Sequence, residues 1–167
     1  MPIVANDLKT YLSGGVGNSD PNLSLGGVRS TTLWAGGVLH DLWDVVSGAE
    51  NAASDTEFRA IYVRNEHATL TALSVVVYVS AETAGGASLA IALAGEAVNV
   101  AMETVANENT APVGETFSTP TTLATGLAIG DLAPNAFRGL WLRRTTANTA
   151  ALANDGGTLT FSFDTEA

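Results

Sequence analysis

The chain has 167 residues and a mass of 17.1 kDa, which suits one domain with an adequate core. Its net charge of −10, from 17 acidic and 7 basic side chains, disfavours binding to nucleic acid or to anionic membrane surfaces. The absence of cysteine excludes disulfides, thiol catalysis and zinc-thiolate sites.

The fraction of charged residues is low, at 14%. A surface of small neutral side chains loses little entropy on burial against another subunit, although compositional drift explains the low charge equally well.

Residues 1–36 contain turn-forming residues too densely for a helix or a central strand. The glycines at positions 14, 15 and 17 lack the lysine of a phosphate loop and are not followed by a helix pattern. Isolated apolar residues along this segment can attach it to its own domain or to a neighbouring subunit. We therefore predict an extended N-terminal arm, and we expect deletion of residues 2–27 to leave a folded domain.

Residues 38–46 place four apolar side chains at the spacing of one helical face, which predicts a short helix. These side chains are Leu39, Leu42, Trp43 and Val46. The segment is also rich in β-branched and aromatic residues, so a bent strand is the alternative.

From Thr56 onward the period of the apolar residues changes to two, which is typical of strands with one buried face. In residues 71–80 the side chains of Leu73, Val75, Val77 and Val79 share one face. The same alternation recurs in residues 89–93, 140–142 and 159–163, with turn-forming residues between the segments. No segment has the length and hydrophobicity of a signal peptide or of a spanning helix, so we expect a soluble protein made in the cytosol.

This pattern predicts an all-β fold, an antiparallel β-sandwich of jelly-roll or immunoglobulin-like type with at most one short helix. The predicted organisation is an extended Gly-rich arm over residues 1–36 and a sandwich domain over residues 37–167.

Candidate catalytic and metal-binding residues are few. His40 lies beside Asp41 and four residues before Asp44, but no serine elbow accompanies it, and a histidine at the edge of an element is the simpler interpretation. His67 has the sequence context of a turn residue. Residues 18–22 alternate oxygen-bearing side chains without the later ligands of a calcium loop. We expect no enzymatic activity, no cofactor and no bound metal.

A short segment near the C-terminus concentrates three of the six arginines. Arg138, Arg143 and Arg144 flank Trp141, which predicts a local positive region in an acidic protein. One interpretation is a solvated strand face with internal ion pairs. The other is a docking surface for an acidic neighbouring subunit, because Arg and Trp are favoured at interfaces.

Seven blocks of sequence, distributed over nearly the whole chain, are together similar to small structural proteins of tailed bacteriophages. The blocks are residues 11–15, 24–27, 42–50, 55–65, 107–112, 127–132 and 140–145. The resemblance implies a virion protein, made in the cytoplasm of the bacterial host. Among virion proteins we favour a capsid decoration or cement protein, whose partner is the major capsid protein or another virion protein.

Two alternatives remain at this point. One is a component of the tail, the baseplate or the head-to-tail connector. The other is a carbohydrate-binding sandwich module that uses Trp34, Trp43 or Trp141 as a stacking platform.

For a decoration protein, repeated binding to an icosahedral lattice favours a homo-oligomer, a dimer or a trimer. The candidate interface residues are Tyr11, Leu12, Leu23 and Leu25 on the arm and Arg138, Trp141, Arg143 and Arg144 on the sandwich.

Overall fold

A computed structural model describes residues 2–38, 40–150, 152 and 154–165. These residues form one six-residue helix, α1 (Gly48–Ala53), and three short 3-10 turns at Ala5–Asp7, Pro21–Leu23 and Leu123–Thr125. They also form nine strands: β1 (Leu8–Leu12), β2 (Gly26–Gly27), β3 (Thr56–Asn65), β4 (Ala72–Glu82), β5 (Ser88–Leu93), β6 (Met102–Thr104), β7 (Leu127–Leu132), β8 (Phe137–Thr145) and β9 (Gly157–Thr165). The predicted all-β fold is confirmed. No helix in this part of the chain is long and apolar enough to span a bilayer.

Two antiparallel sheets pack face to face as a sandwich. One sheet has the strand order β1-β3-β8-β5, and the other has the order β7-β4-β9. The main core lies between them and is made of aliphatic side chains from both sheets, with Leu159, Phe161 and Phe163 of β9 at its margin. Alternation of buried and exposed residues along the strands places these apolar side chains inside.

Strand β4 shows how far the predicted alternation holds. Val75, Val77 and Val79 are buried, as predicted, but Leu73 is only half-buried. Ser74 has a positive φ of 51°, and the register against both neighbouring strands shifts on either side of it. Because such a bulge moves the following side chains to the opposite face, Ala72 is buried in place of Leu73.

The two central strands of the four-stranded sheet are buried on both faces. On the face away from the main core, Tyr62 of β3 and Trp141 of β8 are fully buried in a second apolar cluster. The β2–β6 ribbon contributes Met102 to this cluster and covers it. The Tyr62 hydroxyl donates to the carbonyl of Gly27 and accepts from the amide of Met102, which connects the ribbon to the sheet.

The segment predicted as an extended arm is folded against its own domain. Strand β1 pairs with β3 over its whole length, so it is an edge strand of the four-stranded sheet. Residues 13–36 follow as loops that include the 3-10 turn at Pro21–Leu23 and β2, and backbone hydrogen bonds hold them, among them Leu12 N to Thr32 O at 3.1 Å and Ala60 N to Ser24 O at 2.7 Å. Deletion of residues 2–27 would remove a strand of the sandwich, so from the structure we expect this deletion to destabilise the domain.

The helix predicted over residues 38–46 is absent from the described part of that segment, which forms bends instead. Leu39, one residue of the predicted apolar face, lies outside the described residues. Helix α1 begins after this segment, at Gly48, because Ser47 and Glu50 form a capping box with Ser47 N to Glu50 Oε2 at 2.6 Å and Glu50 N to Ser47 Oγ at 3.2 Å.

Candidate functional site

The predicted interface residues do not form one surface. Of the four on the N-terminal segment, Tyr11 and Leu12 are buried in β1, Leu25 packs against the second cluster, and Leu23 is 58% exposed. Tyr11 donates a hydrogen bond from its hydroxyl to Glu66 Oε1 at 2.5 Å. Only Leu23 of these four is therefore available to a partner of the folded chain.

The arginine segment of β8 is divided between the two faces of the sheet. Trp141 is fully buried in the second cluster, and Arg143, which has the same strand parity, lies over the ring of Phe117 at 5.1 Å. Arg144 is directed to the opposite face, where it is buried. Arg138 donates to the carbonyl of Ala94 at 2.7 Å. The three arginines of the predicted positive region therefore have different partners: Arg144 forms ion pairs, Arg138 bonds a backbone carbonyl and Arg143 contacts an aromatic ring.

A group of charges with buried and exposed members lies beside the main core, and we call it the charge cluster: the buried Glu57, Arg59 and Arg144, the half-buried Glu108 and the exposed Asp44. Glu57 and Arg144 stand directly opposite each other on β3 and β8. Arg144 Nε donates to Glu57 Oε2 at 2.6 Å, and Arg144 Nη2 contacts the same oxygen. Arg144 also bonds the Asp44 carbonyl at 2.8 Å and the Asp44 carboxylate at 3.2 Å. The coil before α1 is attached to the sheet by these bonds.

The second arginine of the charge cluster attaches two further segments of coil. The Arg59 side chain is fully buried, and its Nη2 donates to Glu108 Oε2 at 2.5 Å and to Asn22 Oδ1 at 3.2 Å. The ring of Trp43 lies 5.2 Å from the Arg59 guanidinium carbon and 5.0 Å from that of Arg144. An arginine over an aromatic face is a favourable contact, and more so where water is excluded.

The charge cluster brings carboxylate oxygens of Asp44, Glu57 and Glu108 within 4.8 Å of one another, which is the spacing of a metal site. Each of these carboxylates already accepts from a guanidinium group. A divalent cation at this point would add two positive charges beside Arg59 and Arg144, so the donor set fits an ion-pair network better than it fits a metal site. Burial raises the pKa of Glu57, and Arg144 opposes that rise.

A second group of acidic side chains fixes the coil on both sides of β6. Glu115 accepts from the amide of Gly95 at 2.7 Å, Glu96 from that of Glu103 at 2.7 Å, and Glu103 from that of Val113 at 2.5 Å. Burial raises the pKa of Glu115, the Gly95 amide lowers it, and the two neighbouring carboxylates raise it further. These carboxylates are used as acceptors for backbone amides, which is a structural role.

The histidines and the alternating oxygen side chains also have structural partners or solvent. His40 is exposed, with a positive φ of 62°. His67 Nδ1 accepts from the amides of Thr69 and Leu70 at 3.2 and 2.9 Å, which closes the turn after β3. Asn18 and Asp20 each accept from the amide two residues further on, at 2.9 Å.

Two shallow surface grooves are formed largely by the N-terminal segment. One, of about 200 Å³, is lined by residues that include Pro21, Leu33 and Val38. The other, of about 290 Å³, is lined by residues that include Val16 and Val28, with Phe137 at its base. Neither groove contains an acid and base pair or a nucleophile in hydrogen-bond contact, so neither has the arrangement of an active site.

Two of the three tryptophans offer little to a carbohydrate. Trp141 has no exposed surface, and the ring of Trp43 contacts two arginines. Trp34 is half-buried and lines the groove that contains Leu33. Stacking of a sugar needs an open ring face, which the fully buried Trp141 does not have.

Fold and site together define an all-β sandwich in which the charge cluster bonds segments of coil to the four-stranded sheet. No protein-family model, no curated protein and no solved structure matches this chain.

Proposed function

We propose that this chain is a structural protein of a tailed-bacteriophage virion, a capsid decoration or cement protein that binds and stabilises the major capsid lattice. Its similarity to small phage structural proteins in seven blocks supports the class. The structural uses of the buried charges and histidines support a binding role over a catalytic one. A cement protein requires a rigid module and a surface that binds neighbouring subunits.

The observation that carries the proposal is an exposed apolar surface on the N-terminal segment, which we call the N-terminal apolar surface. Its five large side chains are between 49% and 72% exposed; two of them line each groove, and Leu23 lies elsewhere on the same segment. They are Val16, Leu23, Val28, Leu33 and Val38. Single exposed apolar residues are ordinary, but several on one segment are typical of a surface that binds another protein.

The backbone beneath this surface is ordered by hydrogen bonds, which lowers the entropic cost of binding. Thr31 N donates to Val16 O at 3.0 Å, and Gly15 N donates to Val28 O at 2.9 Å. The Ser30 side chain is buried and donates to Asn18 O at 2.5 Å. A surface that is already in its bound conformation loses less freedom on association than a free arm does.

The test is binding of the purified protein to expanded empty capsids that lack it. We expect saturable binding and a higher melting temperature of the capsid shell, because a ligand of the assembled state stabilises that state. No change in capsid melting at saturating protein would contradict the proposal. The copy number in intact virions separates the alternatives, since decoration needs hundreds of copies and a connector ring about a dozen.

Two variants locate the contact. Val16→Asp and Val28→Asp place a charge in the N-terminal apolar surface, and we expect each to weaken capsid binding at least about tenfold. Val113→Asp is the matched control, because Val113 is 83% exposed and lines neither groove. Equal loss of binding in all three variants would assign the effect to negative charge in general and would remove the N-terminal apolar surface from the proposal.

A further inference from the structure

The three-stranded sheet ends in two strands, β7 and β9, whose outer sides pair with no described residue. The outer edge of β1 is covered by coil that bridges at Leu33, and the outer edge of β5 is bridged by Ser118. Strand β9 pairs on one side with β4, and no described residue pairs with its other side. A row of nine residues with free backbone groups along one side is a template for a further strand.

The hydrogen bonds between β9 and β4 show which residues of β9 direct their backbone groups away from β4. The Gly156 carbonyl accepts from the amide of Thr83, and the Thr158 carbonyl accepts from the hydroxyl of Ser80. Even-numbered residues of β9 therefore direct their backbone groups to β4, and the odd-numbered ones direct theirs outward, as antiparallel pairing requires. The outward groups belong to Gly157, Thr165 and the three apolar residues between them.

The sequence of β9 lacks the usual protection of a free edge. Residues 157–165 contain no lysine, arginine or proline, and their one charge is Asp164. Leu159, Phe161 and Phe163 pack against the main core and remain partly exposed. Strand β7, at the other edge of this sheet, is shorter and has an extra residue between its pairs Gly130–Val75 and Ala128–Val76, whereas both register shifts between β4 and β9 lie in β4. Natural edge strands are usually blocked by charges, proline or bulges, so β9 is the edge of this sheet that is suited to pairing.

We propose that β9 pairs with β9 of a second copy of this chain, antiparallel about a two-fold axis at Phe161. Directly opposite residues of an antiparallel pair lie on the same face. For the main core to continue across the pair, apolar residues of one copy must therefore lie opposite apolar residues of the other. Centring the pair on Phe161 satisfies this condition over the full length of β9 and joins the two three-stranded sheets into one.

The strand is complementary to itself in this register. Leu159 opposes Phe163 of the second copy, and Thr160 opposes Ser162. Asp164 opposes Thr158, so no like charges face each other despite the acidity of the chain. Full overlap forms about ten backbone hydrogen bonds, which is the main source of affinity when a strand is added to a sheet. This pairing does not depend on the proposed virion role, since it uses a different surface.

The experiment is sedimentation velocity of the full chain between about 1 and 200 µM. We expect a shift from the 17.1 kDa monomer to twice that mass as the concentration rises. Thr160→Lys combined with Ser162→Lys places like charges opposite each other across the two-fold axis, and we expect at least about tenfold weaker dimerisation. Thr160→Asp combined with Ser162→Asp has the same effect, and a mixture of the two double variants restores a dimer with opposite charges paired.

The control adds two lysines at exposed positions away from the β9 edge, Ala128→Lys on β7 with Thr121→Lys in the coil before β7, and leaves dimerisation unchanged. Circular dichroism at low concentration verifies that every variant is folded as a monomer. A chain that stays monomeric throughout the range overturns the proposal, as does a dimer that both charged double variants leave intact. Failure of the mixture to restore a dimer overturns the register centred on Phe161.

Discussion

Substitution of Arg144 by methionine tests whether the charge cluster stabilises the sandwich in the way its geometry indicates. Methionine keeps an unbranched apolar stem of similar length and removes the charge. The Glu57 side chain is 1% exposed and loses its bond from Arg144 Nε, which is 2.6 Å long. The bond from Arg144 to the Asp44 carbonyl is lost as well.

The expected loss of stability is large because the substitution leaves a buried carboxylate without its partner. Removal of one member of a buried ion pair costs about 3 to 5 kcal/mol. For a domain of this size each kcal/mol lowers the melting temperature by about 2 to 4 °C, so we expect a decrease of about 6 to 20 °C at pH 7. Thermal and urea unfolding followed by circular dichroism measure both quantities.

The pH dependence of this loss identifies its origin. Burial already raises the pKa of Glu57, and Arg144 opposes that rise, so the variant raises this pKa further. A carboxyl whose pKa is higher in the folded state contributes stability at low pH and loses it as the pH rises through the folded pKa. The difference in unfolding free energy between variant and wild type is therefore largest near pH 7 and shrinks towards about pH 4.

Glu57→Gln provides the matched background for Arg144→Met. In that background the arginine no longer compensates a buried charge, so its loss costs no more than about 1 to 2 kcal/mol. A cost for Arg144→Met that is constant with pH, and equal in the two backgrounds, would refute the assignment of the charge cluster as a compensated buried pair.

Three other changes test the ribbon and the N-terminal segment. Tyr62→Phe leaves the Met102 amide and the Gly27 carbonyl without their partner and lowers the free energy of urea unfolding by about 1 to 3 kcal/mol. Tyr11→Phe removes only the bond to Glu66 and lowers it by under about 1 kcal/mol. Gly26→Ala lowers the free energy of unfolding by about 2 kcal/mol or more, because Gly26 has a φ of 91° and an added Cβ would overlap the carbonyl of Glu103. The control Gly17→Ala, where the added Cβ meets no atom, leaves stability unchanged. Deletion of residues 2–27 abolishes the cooperative thermal transition. A retained transition would show that the domain folds without this segment.

The sequence predicts the strands better than it predicts their partners. Period-two patterns locate β4 and β9 because burial of one face is encoded locally. The alternation of Leu140 and Leu142 locates β8 as well, although that strand is covered on both faces. The bulge at Ser74 escapes this reasoning, since it depends on pairing with both neighbours. The helix pattern over residues 38–46 fails because Leu42 and Trp43 pack against the core from bent coil. The capping box of Ser47 and Glu50 was the local signal that identifies the true helix.

The charge cluster was not predictable, because its members are distant in sequence. Glu57 and Arg144 are 87 residues apart, and only the register of β3 against β8 brings them together. The alternation of Arg143 and Arg144 across two faces follows from strand geometry. What local periodicity did not indicate is that β8 is covered on both faces, so that neither arginine is left as a surface charge.

The order of strands in the two main sheets and the ribbon has a consequence for synthesis of the chain. Every hydrogen-bonded pair named above joins strands that are not consecutive in sequence, such as β3 with β8 and β4 with β9. No hairpin is available to nucleate folding, and such topologies fold in milliseconds to seconds. At about 5 to 20 residues per second, β3 waits about 4 to 14 s on the ribosome before β8 is made. The nascent chain therefore presents unpaired apolar strands until its last quarter emerges, and its yield in cells depends on protection during that interval.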